Sequence, residues 1–239
     1  SPNNLSRRNF ISGSAAVLAP LALPGLGGST ALYGQEATSK TKGTVLQRKL
    51  GRTGLQIPIV SMGVMNADNP AVVQQSYEIG VRFFDTAMGY QGGRNEEMIG
   101  TVIKNLGVRD KVHIQTKIRV PRLQGAATDD EVARGMLNDV DGCLKRLQTD
   151  YVDLLLIHGP SVRDMNHSGV RRALEEAKKQ GRARFVGFSS HSQQADVLNS
   201  AVESGFYDTA TVSFNFTQAG DAALKGAIKK AADSGMGIV

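Results

Sequence analysis

The chain has 239 residues, 41% of them hydrophobic and 21% charged, with a formal net charge of +6. That is enough chain for one sizeable buried core, and the balance excludes a disordered polypeptide. Positive charge is spread without a dense Lys/Arg block, aromatics are 5% and tryptophan is absent, which argues against a nucleic-acid groove.

Taken from the start, Ser6-Arg7-Arg8-Asn9-Phe10-Ile11 matches the twin-arginine export pattern. An uncharged, weakly apolar stretch follows from Ser12 to Tyr33, broken by Pro20, Pro24, Gly25, Gly27 and Gly28. Its apolar part is shorter than the roughly 20 residues of a membrane-spanning helix. Residues 1–42 are therefore expected to be a Tat signal peptide and linker, handed to the Tat translocon for delivery to the periplasm or beyond, with no stable membrane span. Small residues near Ala31 mark an expected cleavage region.

Residues 43–239 are expected to fold as one domain. It opens on a hairpin, Val45–Leu50 and Leu55–Pro58 around a Gly51-Arg52-Thr53-Gly54 turn. Seven short apolar runs come next: Ile59–Gly63, Phe83–Thr86, Val112–Ile118, Tyr151–His158, Phe185–Ser189, Thr209–Phe214 and Met236–Val239. Segments with helical spacing separate them. Thr128 to Leu147 is the clearest, with a Thr128/Glu131 capping box and Val132, Met136, Val140, Leu144 and Leu147 on one face. Gly169–Gln180, Gln193–Ser204 and Ala219–Ser234 follow the same pattern, each stopped by a glycine.

Strands alternating with helices predict a parallel sheet with crossover helices. No glycine-rich fingerprint follows the first strand, so a TIM (β/α)8 barrel is expected rather than a dinucleotide-binding open sheet. The chain begins on Ser1 and stops inside the seventh strand, so the eighth strand and a C-terminal segment are expected to be missing. Cys143, the only cysteine, falls on the apolar stripe of the 128–147 helix and is expected to be an inert core thiol. A single cysteine also excludes an intrachain disulfide or cysteine metal cluster, and no metal site is expected.

Chemistry in such barrels sits at the C-terminal ends of the strands. Asp85 ends the second strand, Lys117 lies near the end of the third, and His158 ends the fourth. Tyr90 lies in the loop after Asp85. Each alone has an ordinary explanation: a helix cap, a solvated strand end, a core histidine, a loop cover. Together they converge on one rim, where a buried carboxylate and ammonium are costly unless they pair.

At these residues the chain resembles the aldo-keto reductase family. The resemblance is carried by Asp85-Thr86-Ala87-Met88-Gly89-Tyr90, Glu96-Glu97-Met98-Ile99-Gly100, Thr116-Lys117, the His158 strand, Gly187-Phe188-Ser189 and the opening Arg48-Lys49-Leu50-Gly51-Arg52-Thr53-Gly54-Leu55. It implies a catalytic tetrad of Asp85, Tyr90, Lys117 and His158. It further implies that Ser189 holds the nicotinamide carboxamide and that Ser190 and Asn215 also bind the cofactor, with NADP(H) as cofactor and NAD(H) as the alternative. Two features depart from the family pattern. Thr211 stands where many members carry a glutamine, and Ser189-Ser190, followed by His191, replaces a common Ser-Asn pair.

The implied reaction is reduction of an aldehyde or ketone, which needs a hydride to carbon and a proton to oxygen. No side chain donates hydride, so a cofactor must. A free tyrosine ionises near 10, and an ammonium about 4–6 Å away favours the phenolate. Lys117 is placed to play that part for Tyr90, with Asp85 holding Lys117 and His158 orienting the carbonyl oxygen. Tyr90 is then the general acid. Two other readings stand beside this one: a catalytically weak nicotinamide-binding sensor or regulatory subunit on the same fold, and a barrel enzyme using the Lys117 amine as a Schiff base.

Overall fold

The structure, a computed structural model, describes residues 45–121 and 128–239. The expected export address at 1–42 lies outside the described residues. Among the described residues, no helix is long and apolar enough to cross a membrane.

The first elements form the expected hairpin: β1 (Gln47–Lys49) pairs antiparallel with β2 (Gln56–Pro58), Arg48 opposite Ile57. After them come β3 (Met62–Gly63), α1 (Pro70–Glu78), β4 (Phe83–Asp85), α2 (Arg94–Leu106), β5 (His113–Ile118) and α3 (Asp129–Leu147). The remainder is β6 (Val152–His158), α4 (Val162–Met165), α5 (Ser168–Lys179), β7 (Ala183–Ser190), α6 (Gln194–Ser204), β8 (Thr209–Val212), α7 (Ala222–Asp233) and β9 (Gly237–Ile238). Strands β3 to β9 form one wholly parallel sheet in chain order, with the helices as crossovers.

The sheet curls. Gln115 on β5 and Thr211 on β8 are three strands apart, which in a flat sheet would separate them by about 14 Å. Their side chains nevertheless meet at 3.1 Å. This is the arc of a (β/α) barrel, seven strands of the expected fold.

Strand register decides what faces the hollow. Paired residues on neighbouring strands share a face, so Phe83, Gln115, Leu154, Gly187, Ser189 and Thr211 all belong to the concave side. At the N-terminal end of the strands that side is apolar: Phe83, Leu154 and Leu156 pack with Leu50, Leu55 and Ile57 of the hairpin. The hairpin closes that end like a plug, its Arg52 guanidinium donating to the Tyr207 carbonyl at 2.6 Å. The convex side (Phe84, Ile114, Leu155, Ile157, Val186, Phe188) packs beneath the helices. Burying one such side chain contributes roughly 1.5–3 kcal/mol. With both faces covered, β6 runs apolar from Leu154 to Ile157 before His158. Gly187 has no room for a side chain, since a Cβ there would lie 2.2 Å from the Thr209 carbonyl oxygen.

Helix α3 starts as expected: Thr128 Oγ1 accepts from the Glu131 amide at 3.3 Å, and Glu131 accepts from the Thr128 amide at 2.7 Å. Cys143 is buried on its inner stripe, and burial, followed by the nearby Glu96 carboxylate, pushes its thiol up, leaving no thiolate at neutral pH. At the strand starts, Asp153 is buried between Arg109 at 3.0 Å, Arg184 at 2.9 Å and His113 at 3.2 Å. Burial raises its pKa, but the His113 contact, Arg109 and the Ile114 amide outweigh it and hold the carboxyl at about 2.

Among the expected strands that are shorter than their apolar runs, two have a local cause. Of Ile59–Gly63 only Met62–Gly63 pairs in the sheet, because the Ile59 amide instead donates to Leu46 and prolongs the hairpin. Of Thr209–Phe214 only Thr209–Val212 is strand. Asn215 then caps a 3-10 turn at Phe216–Gln218, accepting from the Thr217 amide at 2.9 Å.

Candidate active site

Lys117 is almost fully buried near the C-terminal end of β5, and its ammonium has three hydrogens to place. All three are used. Nζ donates to Asp85 Oδ1 at 2.6 Å, to the Thr86 carbonyl at 2.9 Å and to Tyr90 Oη at 3.2 Å. Since Tyr90 Oη accepts from Lys117, its own proton is free to point elsewhere. His158, at the end of β6, meets the Tyr90 ring edge-on, with centroids 5.8 Å apart and planes at 86°. Asp85, Tyr90, Lys117 and His158 are therefore brought together.

The surroundings of His158 favour its neutral form. Burial lowers its pKa, the charges of Lys117, Arg119 and His191 lower it further, and only Asp85 opposes them. Its Nδ1 is buried and has no hydrogen-bond partner among the described residues; neither has the hydroxyl of Ser189, its register partner on β7. Buried polar atoms are rarely left so. Two orphaned groups side by side at the strand ends suit a polar ligand group such as a carboxamide. Ser190 and Asn215 stand differently: the Ser190 hydroxyl donates to the Ser192 carbonyl at 2.7 Å, and Asn215 is exposed and occupied by its capping contacts.

The turn that carries Tyr90 is unusual in backbone and well anchored. Gln91, Gly92 and Gly93 all have positive φ (51°, 67° and 93°). Gly93 is required twice over, since a Cβ would lie 2.8 Å from Arg146 Cδ. Gln91 has no such excuse, and left-handed backbone costs it about 1–2 kcal/mol. Its amide offsets this by donating to the Met65 and Ala67 carbonyls at 3.2 and 3.3 Å.

Directly after this turn, the start of α2 is pinned to the strands beneath the site. Asn95 accepts from Thr86 Oγ1 at 2.7 Å and donates to the Val64 carbonyl at 2.6 Å. Glu96, fully buried, accepts from Thr116 Oγ1 at 2.5 Å and from Arg146 Nε at 2.7 Å. Thr86 and Thr116 adjoin Asp85 and Lys117 in sequence. The turn bearing Tyr90 is thus held to the two strands that carry its partners.

Sequence reasoning missed Gln115. This fully buried amide donates to the same Asp85 oxygen as Lys117, at 2.6 Å, and also reaches Thr211 across the hollow. It gives the carboxylate a second donor beside the ammonium. One signal was available: Gln115 lies two residues before Lys117, so strand alternation puts both on one face.

The model for the aldo/keto reductase family matches residues 58–239. Among curated proteins, the uncharacterized oxidoreductase YqkF of Bacillus subtilis is 32% identical over 157 residues, covering 60% of this chain and 48% of its own. Methylglyoxal reductase DkgB of Salmonella typhi is 36% identical over 141 residues, covering 57% and 49%. The chain thus spans about half the length of these curated relatives. A crystal structure of an aldo-keto reductase from Klebsiella pneumoniae in complex with NADPH shares the fold, with a TM-score of 0.62 and 21% identity over 80% of this chain and 66% of that one. A family model spanning most of the chain, set on a parallel barrel sheet, leads to one assignment: this chain belongs to the aldo/keto reductase family.

Proposed function

We propose that the protein reduces an aldehyde or ketone to the alcohol using NADPH, with Tyr90 as the general acid. The observation that carries this reading is the saturated Lys117 ammonium, bound at once to Asp85, to the Thr86 carbonyl and to Tyr90 Oη. The NADPH in the Klebsiella structure and the methylglyoxal reductase among the relatives support the same choice of cofactor and substrate class.

A nicotinamide cofactor, when bound, supplies the hydride. Ser189 and its unpartnered hydroxyl would hold the carboxamide end. Neutral His158 presents a ring nitrogen to the carbonyl oxygen, turning the substrate towards Tyr90 and stabilising charge that grows on oxygen. Tyr90 then passes its proton to that oxygen. The phenolate left behind faces the Lys117 ammonium, which offsets its charge until solvent returns a proton. Asp85, fixed by Gln115, keeps the ammonium aimed. Packing of the hairpin and the apolar lower half of the hollow keeps water from approaching from beneath.

The test is steady-state oxidation of NADPH by the intact protein with a panel of aldehydes. Many turnovers per enzyme support the reading, whereas stoichiometric binding without turnover would replace it with a sensor. We further propose that residues 1–42 direct Tat export. Replacing Arg7 and Arg8 together by Lys should retain the protein in the cytoplasm, and unchanged periplasmic delivery of that variant would discard the proposal.

A further inference from the structure

Arg119 follows the last residue of β5, two positions beyond Lys117, and is exposed. Its guanidinium lies against Gly89, the residue before Tyr90: a Cβ built on Gly89 would be 3.3 Å from its Nη2. The charge therefore rests on the loop that presents the proposed acid, at the mouth of the hollow. Many arginines in this chain are neutralised at short range, including Arg109 and Arg184 on Asp153, Arg146 on Glu96 and Arg182 on Asp141. Arg119 has no carboxylate within ion-pair distance and no hydrogen-bond acceptor among the described residues.

Among the described residues, the rest of the mouth does not supply an anion for it. His191, exposed on the loop after β7, adds a second titratable cation-forming group. Asp85, the carboxylate of the tetrad, is already shared by Lys117 and Gln115. The positive field reaches the reacting position, since Lys117, Arg119 and His191 all disfavour the protonated form of His158. An exposed guanidinium fork with no protein partner among the described residues, beside the proposed carbonyl position, matches one ligand chemistry: a planar carboxylate or a phosphate, bound by paired N–H donors. A field of one sign at the mouth of a cleft also raises the local concentration of such ligands.

We infer that the substrate carries an anionic oxygen group, a carboxylate or a phosphate, and that Arg119 is the residue that selects it. This rests on the carbonyl-reductase reading above. The same chemistry could come from the phosphates of the cofactor, so the experiment separates the two sources. The probes are 4-carboxybenzaldehyde and 4-nitrobenzaldehyde, two activated aldehydes of similar size that differ in charge. NADPH oxidation by the intact protein is followed with each, together with a fluorescence titration of NADPH binding.

The intact protein should show a lower KM for the carboxylate, and the preference should shrink as salt is raised. Arg119→Met should reduce the ratio of kcat/KM values (carboxylate over nitro) about tenfold, the loss expected of one charge-assisted contact. Arg119→Lys should recover part of that ratio, since it restores the charge without the fork. A ratio unmoved by Arg119→Met overturns the inference. Weaker NADPH binding in that variant, with both aldehydes affected alike, overturns it too, because the guanidinium then serves the cofactor. Turnover of both aldehydes with no preference in the intact protein overturns the inference alone. Turnover of neither overturns the reductase reading and the inference with it.

Discussion

Tyr90→Phe is expected to lower NADPH-dependent reduction by about 10²–10⁴-fold, the usual worth of a positioned general acid. The substitution keeps the ring that meets His158 at 5.8 Å and removes only the hydroxyl. NADPH binding should stay near the parent value, because no described contact of Tyr90 Oη goes to Ser189 or to the other strand ends of the proposed cofactor seat. Lys117 loses one of three acceptors in the variant and keeps the two stronger ones, Asp85 and the Thr86 carbonyl. Stability should therefore change little. The measurements are turnover with 4-nitrobenzaldehyde, a cofactor titration and a thermal melt. Retention of more than about a tenth of the parent turnover, against the loss expected for a general acid, would mean that another group delivers the proton.

Lys117→Met should be as severe for turnover and should also destabilise the fold. Methionine fills much of the same volume, but the Thr86 carbonyl and Tyr90 Oη lose their donor, and Asp85 is left with the Gln115 amide as its remaining partner. Removing one member of a buried ion pair typically costs about 3–5 kcal/mol. The Asp85 side chain is 22% exposed and Lys117 3%, so water recovers part of that and the cost should fall at or below the lower end. For a domain of this size each kcal/mol lowers the melting temperature by about 2–4 °C. Adding Asp85→Asn to Lys117→Met removes the unpaired carboxylate and should restore part of the melting temperature with no gain in turnover. A double variant as unstable as the single one would show that the loss comes from packing rather than from the orphaned charge.

The two variants probe different parts of one hydrogen-bonded line. Thr211, Gln115, Asp85, Lys117 and Tyr90 follow one another across the hollow by side-chain contacts of 2.6–3.2 Å. Tyr90 is its outer end, whereas Lys117 is an inner member that joins Tyr90 to Asp85. That difference in position is why the first substitution should spare the fold while the second should not.

Much of this protein is written locally. The alternation of apolar runs with amphipathic stretches determined a parallel sheet with crossover helices, because strand and helix periods are set by residues only two to four apart. The Thr128 and Glu131 cap was legible for the same reason. So was the meeting of Asp85, Lys117 and His158, since each sits at or near the end of its own run and parallel strands bring such ends to one rim. Only the tertiary structure decided the contacts between residues far apart in the chain. The curl of the sheet sets Gln115 against Thr211, 96 positions away. It was helix packing that buried Glu96 between Thr116 and Arg146, and the path of the turn before Tyr90 that laid Arg119 over Gly89. Where β3 ends was settled between two partners, hairpin and sheet, that compete for the same apolar residues. A sequence states which residues favour burial or a strand, but which partner each finds depends on the register and curvature of the whole sheet.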